Sequence, residues 1–168
     1  MYRVDTKIGD LFCVPINDQE KRHFQLVAFD STQLNSDVIR AFKKIYPIQD
    51  QPDINEIISD EVDFYAHCIT KLGIKMNAWQ NIGNSKEFVE TQNILFRDTN
   101  DYGTKFGEKP IEKSDNWFVW RINDDRFTKI GKLESHFRDS FIGIVFNPRG
   151  IIELLKGNKY PINYPDYG

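Results

Sequence analysis

Chemistry in this chain would have to come from three histidines (His23, His67, His136), two cysteines (Cys13, Cys68) and a surplus of acids. No two of the histidines and cysteines stand at a spacing that builds a metal site. The signatures HExxH, CxxC, GxSxG, GxxxxGK[ST] and GxGxxG are all absent. His67 and Cys68 are neighbours, but adjacent residues on a strand point to opposite faces and cannot act as base and nucleophile. Alternation through residues 62–69 places His67 on the less buried face. His23 falls at the edge of a hairpin turn and reads as solvated. No catalytic residue, metal or cofactor is expected.

Two further stretches imitate a site. Asp98, Asn100 and Gly103 match positions one, three and six of a calcium loop, yet Tyr102 stands at position five and Lys109 at twelve, where a bidentate Glu belongs. Calcium is rejected there. Trp117, Trp120, Arg121, Arg126, Phe127, Lys129, Lys132, Phe137 and Arg138 interleave bases with aromatics, as a single-strand platform would. Asp124, Asp125, Glu134 and Asp139 cancel most of that charge, so a solvated hairpin face is expected and no nucleic acid.

The charge asymmetry lies elsewhere. Asp50, Asp53, Glu56, Asp60, Glu61 and Asp63 fall between Lys44 and Lys71 without one basic residue. The net charge is −3, so the rest of the chain sums to +3. An acidic surface of this kind would be steered to a basic cleft on a protein partner.

The elements that must position these residues begin with a dense apolar run. Leu11, Phe12, Cys13, Val14 and Ile16 give a first strand too continuous for one solvated face. Gly9 suits a positive φ, Asp10 can bond local amides, and Pro15 belongs near the strand's end. Residues 17–22 turn the chain into a second strand over 24–29. Asn35-Ser36 then offers a helix cap, and Val38, Ile39, Phe42, Ile45 and Tyr46 form a helical stripe that Pro47 stops. Residues 49–55 read as a loop and 62–69 as a third strand. Short strands follow at Trp79–Gly83 and 93–97. Trp117–Ile122 makes a hairpin with 126–133, bulged at Gly131, in which Trp117 and Trp120 face opposite ways and only one enters the core. Residues 141–146 read as one buried strand. Asn147 caps a last helix with Pro148 at its first position and Gly157 at its end. Residues 158–168 form an extended Tyr/Pro tail.

With 168 residues the chain is a single domain, 1–168, able to hide roughly 70% of its unfolded surface. Its 14% aromatic content favours β structure. Both cysteines are expected as free, buried thiols. With no apolar run of about 18 residues and no apolar leader, the expected compartment is the cytoplasm, and no membrane partner is expected.

The opening Gly9-Asp10, Phe12, Val14 and Pro15, followed by Trp79, Gly83, Phe96, Trp117 and Ile130-Gly131, resembles the immunity protein 26 family of bacterial polymorphic-toxin systems. The resemblance implies an α+β domain that binds and neutralises a cognate toxin, often a nuclease. Gly9, Asp10, Phe12, Val14, Pro15, Trp79, Gly83, Trp117 and Gly131 would be its structural motif. The expected fold is α+β, mostly antiparallel, with a small, strongly curved or barrel-like sheet. One helix follows the first hairpin and a short one closes the chain. The alternative reading is a small-barrel nucleic-acid-binding or processing protein.

Overall fold

The computed structural model describes residues 3–101, 106–158 and 164–165. The chain is α+β with mostly antiparallel strands. The elements are β1 (Asp10–Pro15), β2 (Glu20–Asp30), β3 (Ser36–Phe42), β4 (Tyr46–Pro47), α1 (Ile54–Ile58), β5 (Val62–Cys68), α2 (Thr70–Lys75) and β6 (Gln80–Asn84). They continue with β7 (Leu95–Thr99), β8 (Trp117–Arg121), β9 (Thr128–Gly131), β10 (Phe141–Ile142), β11 (Val145–Phe146) and α3 (Pro148–Leu155). One sheet runs β11-β5-β3-β2-β1-β6 with β4 attached to β2, and the other runs β10-β7-β8-β9. Both sheets have two free ends, so the expected barrel-like closure is not found.

The first hairpin forms as read. Gly9 adopts φ +95°, and a Cβ there would collide with the Ser85 carbonyl oxygen. Asp10 accepts from Lys7 N at 3.0 Å and from Asn84 Nδ2 at 2.9 Å, which ties the turn to β6. Asn17 Oδ1 accepts from the amides of Gln19 and Glu20, both at 2.8 Å, and closes the β1–β2 turn.

The largest correction concerns residues 37–46. Instead of a helix they form β3 and β4. β3 lies between β2 and β5, with Val38, Ile39, Ala41 and Phe42 all buried. A strand covered on both faces loses its period of two, and its consecutive apolar residues then mimic a helical stripe. The β-branched Val38-Ile39 pair favours the strand. Asp37 accepts from Thr70 N at 2.8 Å at the start of α2. The mid-chain helix comes later, as α1, which begins at the end of the expected 49–55 loop and runs beyond it, with Asp53 accepting from Glu56 N at 2.9 Å as its cap.

The single strand expected over 141–146 splits into two pieces. β10 pairs parallel with β7 and β11 pairs parallel with β5, so this segment passes from one sheet to the other at Gly143, where a side chain would strike Trp120. α3 forms as expected, with Asn147 Oδ1 accepting from Gly150 N at 2.7 Å and Gly157 at φ +81°. Of the tail only Asn158, Tyr164 and Pro165 are described, and Tyr164 packs on Trp117 and bonds Asp98 at 3.0 Å. The rest of the tail, with Tyr102 and Gly103, lies outside the described residues.

Three apolar clusters follow from this layering. Phe12, Val14, Phe24, Ile39, Ala66 and Trp79 pack under α2 and α3 on one face of the large sheet. On the other face, Leu11 and Phe42 meet Ile57 of α1, and Val27, Ala28 and Val38 meet Phe96 and Trp120 of the second sheet. Trp117 and Trp120 are both only 1% exposed, so β8 is buried on both sides and the expected one-sided strand is corrected. No helix is long and apolar enough to cross a membrane among the described residues.

Candidate functional site

The acidic span keeps its exposure but not its charge. Folding brings cations from elsewhere in the chain to three of its six acids. Glu56 pairs with Lys44 and Glu61 with Lys43, each at 2.7 Å, and Asp63 pairs with Arg22 at 2.7 Å. Asp53 is occupied as the α1 cap, and Asp60 accepts from Lys44 N at 2.6 Å. Only the Asp50 carboxylate has no ion-pair or hydrogen-bond partner among the described residues.

Beside Asp50 lies an open groove of about 580 Å³ lined by Asp18, Gln19, Glu20, Ile45, Tyr46, Pro47, Ile48 and Gln49. Ile45 is 50% exposed and Ile48 39%, although they flank the buried Tyr46. The short β4 pairing with Glu20 and Lys21 holds this segment, so its two isoleucines are turned outward. A second apolar stripe, Ile69, Leu72 and Met76, lies along α2, but Lys71 and Lys75 flank it. The two surfaces therefore differ in the sign of their charged rims.

A pocket of about 650 Å³ opens on the face of β1 and β2 beneath the turn into α1. Register places Cys13 opposite both His23 on β2 and Gln80 on β6. Lys21 lies two residues along β2 on the same face, and Gln51, Pro52, Asp53, Ile54, Asn55 and Ile82 complete the walls. Lys21 is 8% exposed, and its ammonium donates to the carbonyls of Ile48, at 3.0 Å, and Asp50. His23 is 2% exposed, stacks edge-on against Tyr46 with centroids 5.2 Å apart, and has no partner for Nδ1. This corrects the solvated turn reading of His23.

Directly opposed residues of this kind have Cβ atoms about 4.5–5.5 Å apart, close enough for thiol and imidazole to touch. Their protonation does not suit attack. Burial, opposed by Lys21, pushes the Cys13 thiol up, while burial and then the Lys21 charge press His23 down to about 4. A reactive cysteine is a thiolate stabilised by a cation, whereas this pair rests as neutral thiol and neutral imidazole.

His67 was expected on the less buried face, and it is fully buried. It bonds Asp30 at 3.0 Å with its ring against Phe96 at 4.3 Å, because the second sheet covers that face of β5. Among the described residues no group of three or more His, Cys, Asp or Glu could hold a metal ion. Both cysteines are free, with Cys68 buried and Cys13 half-buried rather than hidden.

The motif residues serve the scaffold. Trp79 Nε1 donates to Thr70 O at 2.9 Å, and its ring fills the space that Gly73 leaves open. Gly83 lets Ile54 of α1 rest on β6. Gly131, at φ +72°, forms the bulge opposite Trp117, whose Nε1 donates to Ser114 O at 2.8 Å. Phe12 and Val14 are fully buried, and Pro15 ends β1 exposed. No family model, curated protein or solved structure matches the chain.

Sequence reasoning missed Lys21, His23 and Cys13 as a group. The usable signal was the turn: centring it on Asp18, as the Asn17 side chain does, sets Cys13 opposite His23.

Proposed function

We propose that this chain is an immunity-type binding protein that neutralises a cognate bacterial toxin by direct contact in the cytoplasm, and that contact is made at the Ile45–Ile48 groove. The observation that carries the reading is the outward-facing Ile45 and Ile48 pair in a groove lined also by Asp18 and Glu20, with Asp50 next in sequence to its lining residue Gln49. Apolar anchors with a polar rim are the common anatomy of a protein-binding surface. An acidic rim selects a basic partner and speeds its approach, as suits the cleft of a toxin that acts on nucleic acid. Of the acidic span, Asp50 takes the direct part, since Asp53, Glu56, Asp60, Glu61 and Asp63 are engaged within the fold.

The test is co-expression with the toxic domain encoded beside this gene. The intact chain should restore growth and bind the domain, and Ile45→Asp with Ile48→Asp should abolish both without lowering Tm. Neutralising Asp18 and Asp50 should slow association and flatten its salt dependence. Failure of the intact chain to protect or bind overturns the reading. Unaltered binding by the double isoleucine variant moves the interface away from the groove.

A further inference from the structure

Lys21 is a buried cation with no ion-pair partner among the described residues. An ammonium has three N–H donors, and Lys21 commits two, to the Ile48 and Asp50 carbonyls. Its third donor and its charge remain for the pocket it lines. Next along the same face, His23 is almost wholly buried and leaves Nδ1 without a partner. An unmet buried polar group is unfavourable, and a buried charge without a counter-ion is more so. The ammonium and the imidazole thus stand side by side on one pocket wall.

We propose that the pocket between β1, β2, β6 and the turn into α1 binds a small organic oxyanion, a carboxylate or a phosphate ester, held by Lys21 Nζ and the His23 imidazole. One oxygen accepts from the third Lys21 N–H and another from the imidazole N–H, a charge-assisted pair of bonds. The body of the ligand meets the carboxamides of Gln51, Asn55 and Gln80 and the apolar side chains of Ile54 and Ile82. The volume of about 650 Å³ falls within the range of small-molecule sites, roughly 300–1,000 Å³. The titratable groups facing His23 are Cys13 from β1, Lys21 from its own strand, Tyr46 from β4 and Asp53 before α1. The Asp53 carboxylate is exposed and already accepts from Glu56 N, and the Tyr46 hydroxyl donates to Glu56, so neither competes for Lys21.

The experiment follows the His23 ring resonances by NMR while the intact protein is titrated in parallel with acetate, citrate, inorganic phosphate and adenosine monophosphate. Binding should shift the ring resonances saturably and raise the pH at which His23 titrates, since an adjacent anion favours imidazolium. The carboxylate and phosphate arms separate the two sources of the oxyanion. In the same samples the alkylation rate of Cys13 should fall, because its thiol lines the occupied pocket. Lys21→Met should weaken binding by about tenfold or more. Because Lys21 also ties down residues 48–50, His23→Gln supplies a second variant, read through protection of Cys13 and calorimetry. No saturable shift with any of the four anions overturns the proposal, as does affinity unchanged in both variants. Ile45→Asp leaves this pocket intact, so anion binding by that variant separates this site from the proposed toxin groove.

Discussion

Asp30 Oδ2 accepts a 3.0 Å hydrogen bond from His67 Nε2, with both side chains wholly buried where the two sheets meet. Asp30 also accepts from the amides of Thr32 and Gln33. Burial alone would raise the Asp30 carboxyl, but the bond from His67 and the two amides outweigh it and hold it below its ordinary value. Burial in turn presses His67 below its own ordinary value, so the resting pair is a carboxylate and a neutral imidazole.

His67→Leu strands that carboxylate in the core and should cost about 3–5 kcal/mol by denaturant unfolding. Asp30→Asn keeps an acceptor for one of the donors and should cost about 1–3 kcal/mol. The reverse order would mean that the imidazole, and not the carboxylate, carries the charge.

Stability should rise with pH between about 4 and about 6.5. His23 and His67 both have folded values below 6.5, so in that window the unfolded chain binds protons the native state refuses. Asp98 opposes them. Burial outweighs its bonds from Thr99 N and Tyr164 and lifts it to about 6, so its contribution is complete below 3.8 and lost above about 6. Two groups against one leave a net rise. In unfolding curves taken across the window, Asp98→Asn should steepen the rise and His23→Gln should flatten it.

Trp117→Ala and Trp120→Ala should each cost about 3–5 kcal/mol, since each ring is almost fully enclosed. A loss at one position under half that at the other would show that one face of β8 is open.

Arg22 Nη1 donates to the Leu155 carbonyl at 2.8 Å at the end of α3, while Nε donates to Phe42 O at 3.0 Å and Nη2 meets Asp63. Arg22→Met orphans two carbonyls and should cost about 3 kcal/mol, and α3 should then lose amide-exchange protection first. Arg22→Lys should recover only part, because one ammonium cannot span three acceptors in that fork.

Thiol titration of the native protein should find Cys68 silent and Cys13 reacting slowly. Burial raises both thiols, Cys68 further, and Cys13 alone is half-exposed. Rapid native labelling at both positions would mean that β1 and β5 open locally.

What the amino-acid sequence determined by itself is what depends on near neighbours. The Gly9-Asp10 turn, the β1–β2 hairpin, the Gly131 bulge and the Asn147–Gly157 limits of α3 each rest on a φ preference or a cap within four residues. The stretch from Val38 to Tyr46 was misread because its signal depends on what covers it. Placed between β2 and β5, a two-sided strand carries the same apolar spacing as one side of a helix. The acidic span looked unbalanced for a similar reason, since Lys43, Lys44 and Arg22 become its counter-ions only when β2, β3 and β5 lie side by side. Tertiary structure alone decided that Cys13 faces His23 and Lys21, and that Asp30 meets His67. Such pairs are set by strand register and by the layer that excludes water above them, and neither is a property of neighbouring residues.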